Sequence, residues 1–129
     1  IRRMVQDLNL DIDVVRMPTT REPDGLAMSS RNVYLKKEER ESALSLSRSL
    51  LMAQSRYAAG ERDARKIEAE VRRFIEGHPF VKIDYARICD VQTMRDVERI
   101  EQETVLALAV WVGKTRLIDN HVLGEDLSI

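Results

Sequence analysis

The sequence predicts an α+β fold: about two helices and a three-stranded antiparallel sheet, preceded by a short helix–strand–loop unit. Three observations predict it. Ala43, Leu46, Leu50, Ala53 and Tyr57 recur at intervals of three and four, one apolar stripe along a helix. Residues 104–112 form a nearly unbroken apolar run of strand length, the pattern of a strand covered on both faces. Gly60, Gly77, Pro79 and Gly113 then punctuate the chain where periodic segments end.

In chain order, Met4, Val5 and Leu8 sit at helical spacing, and residues 11–15 read as a short β-branched strand. A polar loop follows, Asp24-Gly25-Leu26-Ala27-Met28-Ser29-Ser30-Arg31-Asn32. The first long helix is expected from Lys36 to the stop at Gly60. Its start carries Lys36 and Lys37 against the positive end of the helix dipole, offset in part by Glu38 and Glu39. A second helix runs from an Asp63 cap through Ile67, Val71, Phe74 and Ile75 to Gly77. Residues 80–89 read as a strand with Val81, Ile83 and Tyr85 on one face. Residues 92–101 are a charged helix or loop, and Gly113-Lys114 turns the apolar strand into a last one, Arg116 to Val122. The tail after Gly124 is expected to fray.

The chain has 129 residues, enough for one domain with its own core. With 33% charged residues and a net charge of −1, no global field favours nucleic acid or an anionic membrane. The single cysteine, Cys89, has no partner for an internal disulfide, and no apolar run has membrane-spanning length. A soluble, cytoplasmic protein is the expectation.

The loop at 24–32 carries the chemistry. Gly25 frees the backbone to turn or to approach a ligand; Ser29 and Ser30 offer hydroxyls; Arg31 offers a fork of donors matched to phosphate oxygens. The same residue types build ordinary turns, so the residues alone leave both readings open. Other features read as structure. Gly113-Lys114-Thr115 lacks the preceding glycine of a P-loop, since Leu108 stands there. His78 is a loop histidine, and His121 has no second ligand at metal spacing. Trp111 reads as core or interface packing. Arg62, Arg65, Lys66, Arg72 and Arg73 alternate with acids along a solvated helix, and the acids from Asp90 to Glu103 read as a charged surface rather than a metal site.

The stretch from Pro18 through Thr20, Arg21 and Asp24-Gly25 to Met28-Ser29-Ser30-Arg31-Asn32, with Tyr34-Leu35 behind it, resembles the signature of the pantothenate synthetase (pantoate–β-alanine ligase) family. Arg116-Leu117-Ile118-Asp119-Asn120 resembles that family's closing strand, and the likeness covers nearly the whole chain. Lys36 departs from it, standing where the family usually has Ser or Thr.

The resemblance implies a division at residue 32. Residues 1–32 would be the C-terminal edge of a nucleotide-binding, Rossmann-like domain with its ATP loop, and residues 33–129 a C-terminal lid hinged at 17–35. It implies ATP-dependent condensation of pantoate with β-alanine through an acyl adenylate, with Mg2+ accompanying ATP and a homodimer as the full-length state. Carried over by residue, Ser29, Ser30 and Arg31 would contact the phosphates, Met28 would line the nucleotide site, and the Thr20 carbonyl would read the adenine amino group. The family's His-x-Gly-His motif is absent here, so no catalytic residue and no metal ligand is assigned, and the chain alone is expected to be inactive. Two alternatives stand beside this reading: a noncatalytic interaction module, and a related nucleotidyltransferase activating another acid.

Overall fold

Residues 104–112 form the central strand of the sheet because only there does the apolar run supply side chains for both faces. In the computed structural model, which describes residues 1–127 and 129, β1 (Val81–Asp90), β2 (Thr104–Val112) and β3 (Thr115–Val122) form an antiparallel meander in the order β1-β2-β3. Ahead of it run α1 (Arg2–Asp7), a 3₁₀ turn (Ser30–Tyr34), α2 (Lys37–Ala43), α3 (Ser45–Ala58) and α4 (Ala64–Glu76). Leu106, Leu108, Val110 and Val112 of β2 join Leu46 and Leu50 of α3 and Ile67, Val71 and Ile75 of α4 in one core. The β2–β3 connection is a two-residue turn, Val112 pairing with Thr115, and Gly113 alone takes a positive φ of 59°. A turn of that kind places glycine first.

The expected first helix is two helices. Leu44 interrupts it, and the serines after the break, Ser47 and Ser49, donate to the carbonyls of Leu44 and Leu46 at 3.2 and 2.7 Å. Such back-bonding competes with the helical ladder and bends it. No side chain caps α2 at Lys36, in line with its sequence, whereas Asp63 caps α4 through the Lys66 N–H at 3.2 Å.

β1 departs from simple alternation. A bulge between Ile83 and Tyr85 leaves Asp84 without a ladder partner, so Val81 and Ile83 share the core face with Ala86 and Ile88. Tyr85 therefore lies on the opposite face, not beside Val81 and Ile83, because one extra residue inverts the period of two. On that opposite face Trp111 is 39% exposed and pairs across the ladder with Arg116, so it is not a core residue, and β2 is only partly covered there.

Residues 11–15 are not a strand: from 10 to 20 the backbone has neither helix nor ladder, since no described residue offers it an edge. Val5 and Val14 are the only half-buried residues among the first 20. Residues 92–101 are loop, held by an isolated bridge from Cys89 to Asp96. The tail does not simply fray. Glu125 pairs with Arg16, and Leu127 packs on the core; residue 128 lies outside the described residues.

Candidate functional site

The loop that carries the signature is a braced hairpin. Glu22-Pro23-Asp24-Gly25 makes a turn, with the Gly25 N–H on the Glu22 carbonyl at 2.9 Å. Proline second and glycine fourth suit such a turn. Gly25 then adopts φ 97° and returns the chain, so that Arg21 bridges Ala27 and the Glu22 N–H reaches the Leu26 carbonyl at 2.8 Å. Leu26 is sunk in the core at 3% exposure, which anchors the loop to the sheet and helices.

Three polar clamps fix its shape. The Arg21 guanidinium donates to both Asp119 carboxylate oxygens, at 2.7 and 3.0 Å, and to the Gly25 carbonyl at 3.1 Å. Arg40 of α2 donates to Asp24 at 2.8 Å and Glu22 at 3.1 Å, and this contact holds the Asp24 carboxyl below its ordinary range. The Asn32 amide donates to Glu22 at 2.7 Å and to the Ala27 carbonyl at 3.0 Å from a buried position.

These clamps leave Met28-Ser29-Ser30-Arg31 at the surface as one presented segment. The Met28 N–H donates to the Thr20 carbonyl at 2.9 Å, so the backbone brings these two predicted residues together; that carbonyl keeps a second lone pair for another donor. The Ser29 hydroxyl accepts from the Arg31 N–H at 3.2 Å and starts the 3₁₀ turn. Arg31 reaches across to the Arg116 carbonyl of β3 at 3.4 Å. Two grooves open beside the segment. One, of about 840 Å³, lies between Arg31, α2 and the β2–β3 hairpin; the other, of about 290 Å³, lies between Met28 and β3.

The clamps were not predicted from the sequence. The one signal for Asp119 is its parity: it shares the core-facing side of β3 with Leu117 and His121, where a charge demands a partner. His121 donates from Nε2 to Gln54, which also takes the Gly124 N–H, so it is a packed structural histidine. His78 contacts the Phe74 carbonyl at 3.0 Å and is likewise local. The acids that follow β1 are tied to cations rather than to one another: Asp96 to Arg87, Glu98 to Arg65, Glu101 to Arg99 and Glu103 to Arg16.

A three-stranded meander backed by helices, with a loop clamped to its last strand, has counterparts among solved structures. The architecture recurs in the crystal structure of pantothenate synthetase from Thermus thermophilus, with TM-score 0.83 and 35% identity over 93% of this chain and 43% of that one. The chain belongs to the pantoate–β-alanine ligase family, whose pattern matches residues 1–122. Pantothenate synthetase of Syntrophus aciditrophicus is 65% identical over the whole chain, which spans 45% of that protein's length. A more distant likeness of fold, at TM-score 0.53 and 22% identity over 94% of this chain and 37% of that one, is the Francisella tularensis pantoate–β-alanine ligase complexed with β,γ-ATP and β-alanine.

Proposed function

We propose that this chain is the nucleotide-gripping lid of an AMP-forming ligase that joins pantoate to β-alanine. The observation that carries the reading is the braced loop: inside a family match over residues 1–122, its clamps fix the backbone while Met28, Ser29, Ser30 and Arg31 lie exposed. Attack of the pantoate carboxylate on the α-phosphorus builds negative charge on phosphate and on departing pyrophosphate. Prepositioned hydroxyls and a guanidinium aimed there lower that barrier. The β-alanine amine then displaces AMP. Thr20 would read adenine through its carbonyl and Met28 would pack on the base.

Mg2+ belongs to this reading as the companion of the nucleotide. A hard cation keeps phosphate and water oxygens as ligands, and the loop's own carboxylates, Glu22 and Asp24, are both engaged by Arg40. Closure of the lid would shield the adenylate from water. Residues 17–35 would be the hinge between the nucleotide-binding edge, residues 1–32, and the lid; the clamps on 21–32 and the unladdered backbone before them support motion in the part of that hinge that precedes Arg21. Family membership carries the companion proposals of a cytoplasmic homodimer and of a catalytic histidine supplied outside this chain.

Pantoate-dependent ATP–pyrophosphate exchange by the full-length protein tests the reading. Exchange that requires pantoate is expected. ATP binding without such exchange would instead point to a nucleotidyltransferase for another acid, and absence of ATP binding to a noncatalytic module. The 129-residue chain alone is expected to form no pantothenate.

A further inference from the structure

The larger groove beside Arg31 is built from three separate parts of the chain. Arg31 comes from the signature loop, Lys36 from the entry to α2, and Lys114 and Arg116 from the β2–β3 hairpin. Trp111 and Tyr34 form its apolar wall. By sequence, Gly113-Lys114-Thr115 is a turn and Lys36 a poor cap, and neither lysine has a part in the reading above.

Two features distinguish this groove from scattered surface charge. Its guanidinium is preoriented: the β1 bulge delivers Asp84 to Arg116, whose Nη2 and Nε donate to one carboxylate oxygen at 2.9 and 3.1 Å, with the Tyr85 ring 5.9 Å away. Its two ammonium groups are unspent. Among the described residues every close ion pair of the groove belongs to Arg116; Lys36 and Lys114 have none, although Glu39 lies against Gly113 between them. Two exposed lysines and two arginines lining one concave site suit an anion with several charges spread over neighbouring oxygens. A single carboxylate would leave most of them unused.

We propose that this groove is a polyphosphate subsite, in which Lys36 and Lys114 hold a diphosphate unit beside Arg31 and Arg116. The unit is either the β,γ tail of a bound nucleoside triphosphate or free pyrophosphate leaving the site. Its role in turnover rests on the ligase reading; binding itself does not.

The test is calorimetric titration of inorganic pyrophosphate, and separately of ATP, into the full-length protein, its Lys36→Ala/Lys114→Ala double variant and Lys37→Ala as a control. Lys37 is exposed next to the groove but does not line it. The double variant should lose roughly tenfold in pyrophosphate affinity, about 1.4 kcal/mol, with Lys37→Ala unchanged and melting temperatures alike. A parallel loss for ATP assigns the groove to the nucleotide tail; unchanged ATP affinity assigns it to free pyrophosphate. No pyrophosphate binding by the parent protein, no loss in the double variant, or an equal loss in Lys37→Ala overturns the proposal. Missing pantoate-dependent exchange, with these affinities as expected, would overturn the ligase reading and leave the subsite standing.

Discussion

Arg21 and Asp119 stand 98 positions apart in the chain, yet form a two-pronged ion pair at 2.7 and 3.0 Å, with side chains 8% and 2% exposed. The pair ties the signature loop to the last strand, and through Gly25 it also sets the turn that presents Ser29 and Arg31. Removing one member would strand the other charge in a dry site. Asp119→Ala should lose about 3–5 kcal/mol in urea unfolding, whereas an Arg21→Met/Asp119→Leu pair should recover most of it. Equal losses for the single and the double would show that packing, not the stranded charge, sets the cost.

Arg31 separates chemistry from stability. Its side chain is exposed, and among the described residues its one side-chain hydrogen bond is to the Arg116 carbonyl at 3.4 Å. Arg31→Ala should leave the melting temperature essentially unchanged yet remove about 3–4 kcal/mol of transition-state stabilisation in adenylation. Single-turnover kinetics of the full-length protein read this directly. A defect confined to the amine-transfer step would reassign the residue.

Acid should destabilise the protein in two stages. Burial holds His121 below its ordinary value; Arg21 also opposes its charge, while Glu125 and Asp119 favour it only in part. The folded state thus prefers the neutral ring, so its contribution is complete above about pH 6.5 and is lost as pH falls through the lower folded value. Asp24, lowered chiefly by Arg40, Asp96, lowered chiefly by Arg87, and Asp90, lowered chiefly by the Thr93 N–H, contribute in the same sense below about pH 4. Melting temperature followed from mildly alkaline to strongly acidic buffer should fall in both windows, and His121→Gln should flatten the first alone.

Gly25→Ala probes the loop turn. Its φ of 97° disfavours any L side chain, and an added Cβ would collide with the Ile129 side chain. A loss of about 1–2 kcal/mol is expected, together with faster amide exchange at Leu26 and Met28. Unchanged exchange there would mean that the clamps alone hold the loop.

Local signals made most elements legible. The helical stripes, the Asp63 cap, the Gly113 turn and the apolar central strand each depend on spacing or on one residue's backbone preference. The errors fell where a neighbour decides. Leu44 breaks a periodic helix through serine back-bonding; Asp84 bulges out and sends Tyr85 to the other face; residues 11–15 have strand composition but no ladder partner among the described residues. In the candidate site, Thr20, Met28, Ser29, Ser30 and Arg31 stand as proposals carried by the resemblance of one contiguous loop, whereas the braces Arg40 and Asp119 lie far off in the chain and gave no such signal.

By itself, then, the amino-acid order determined what depends on nearby residues: the α+β succession, the positions of turns, and the family to which the loop belongs. Tertiary structure alone decided which distant charges meet. Arg21 finds Asp119, Arg40 finds Asp24, Arg116 finds Asp84, and Lys36 comes to share a groove with Lys114. A charge in a sequence carries no address. Its partner is chosen when burial of the apolar faces sets strand register and helix placement, and for the buried Arg21–Asp119 pair desolvation then makes the pairing obligatory.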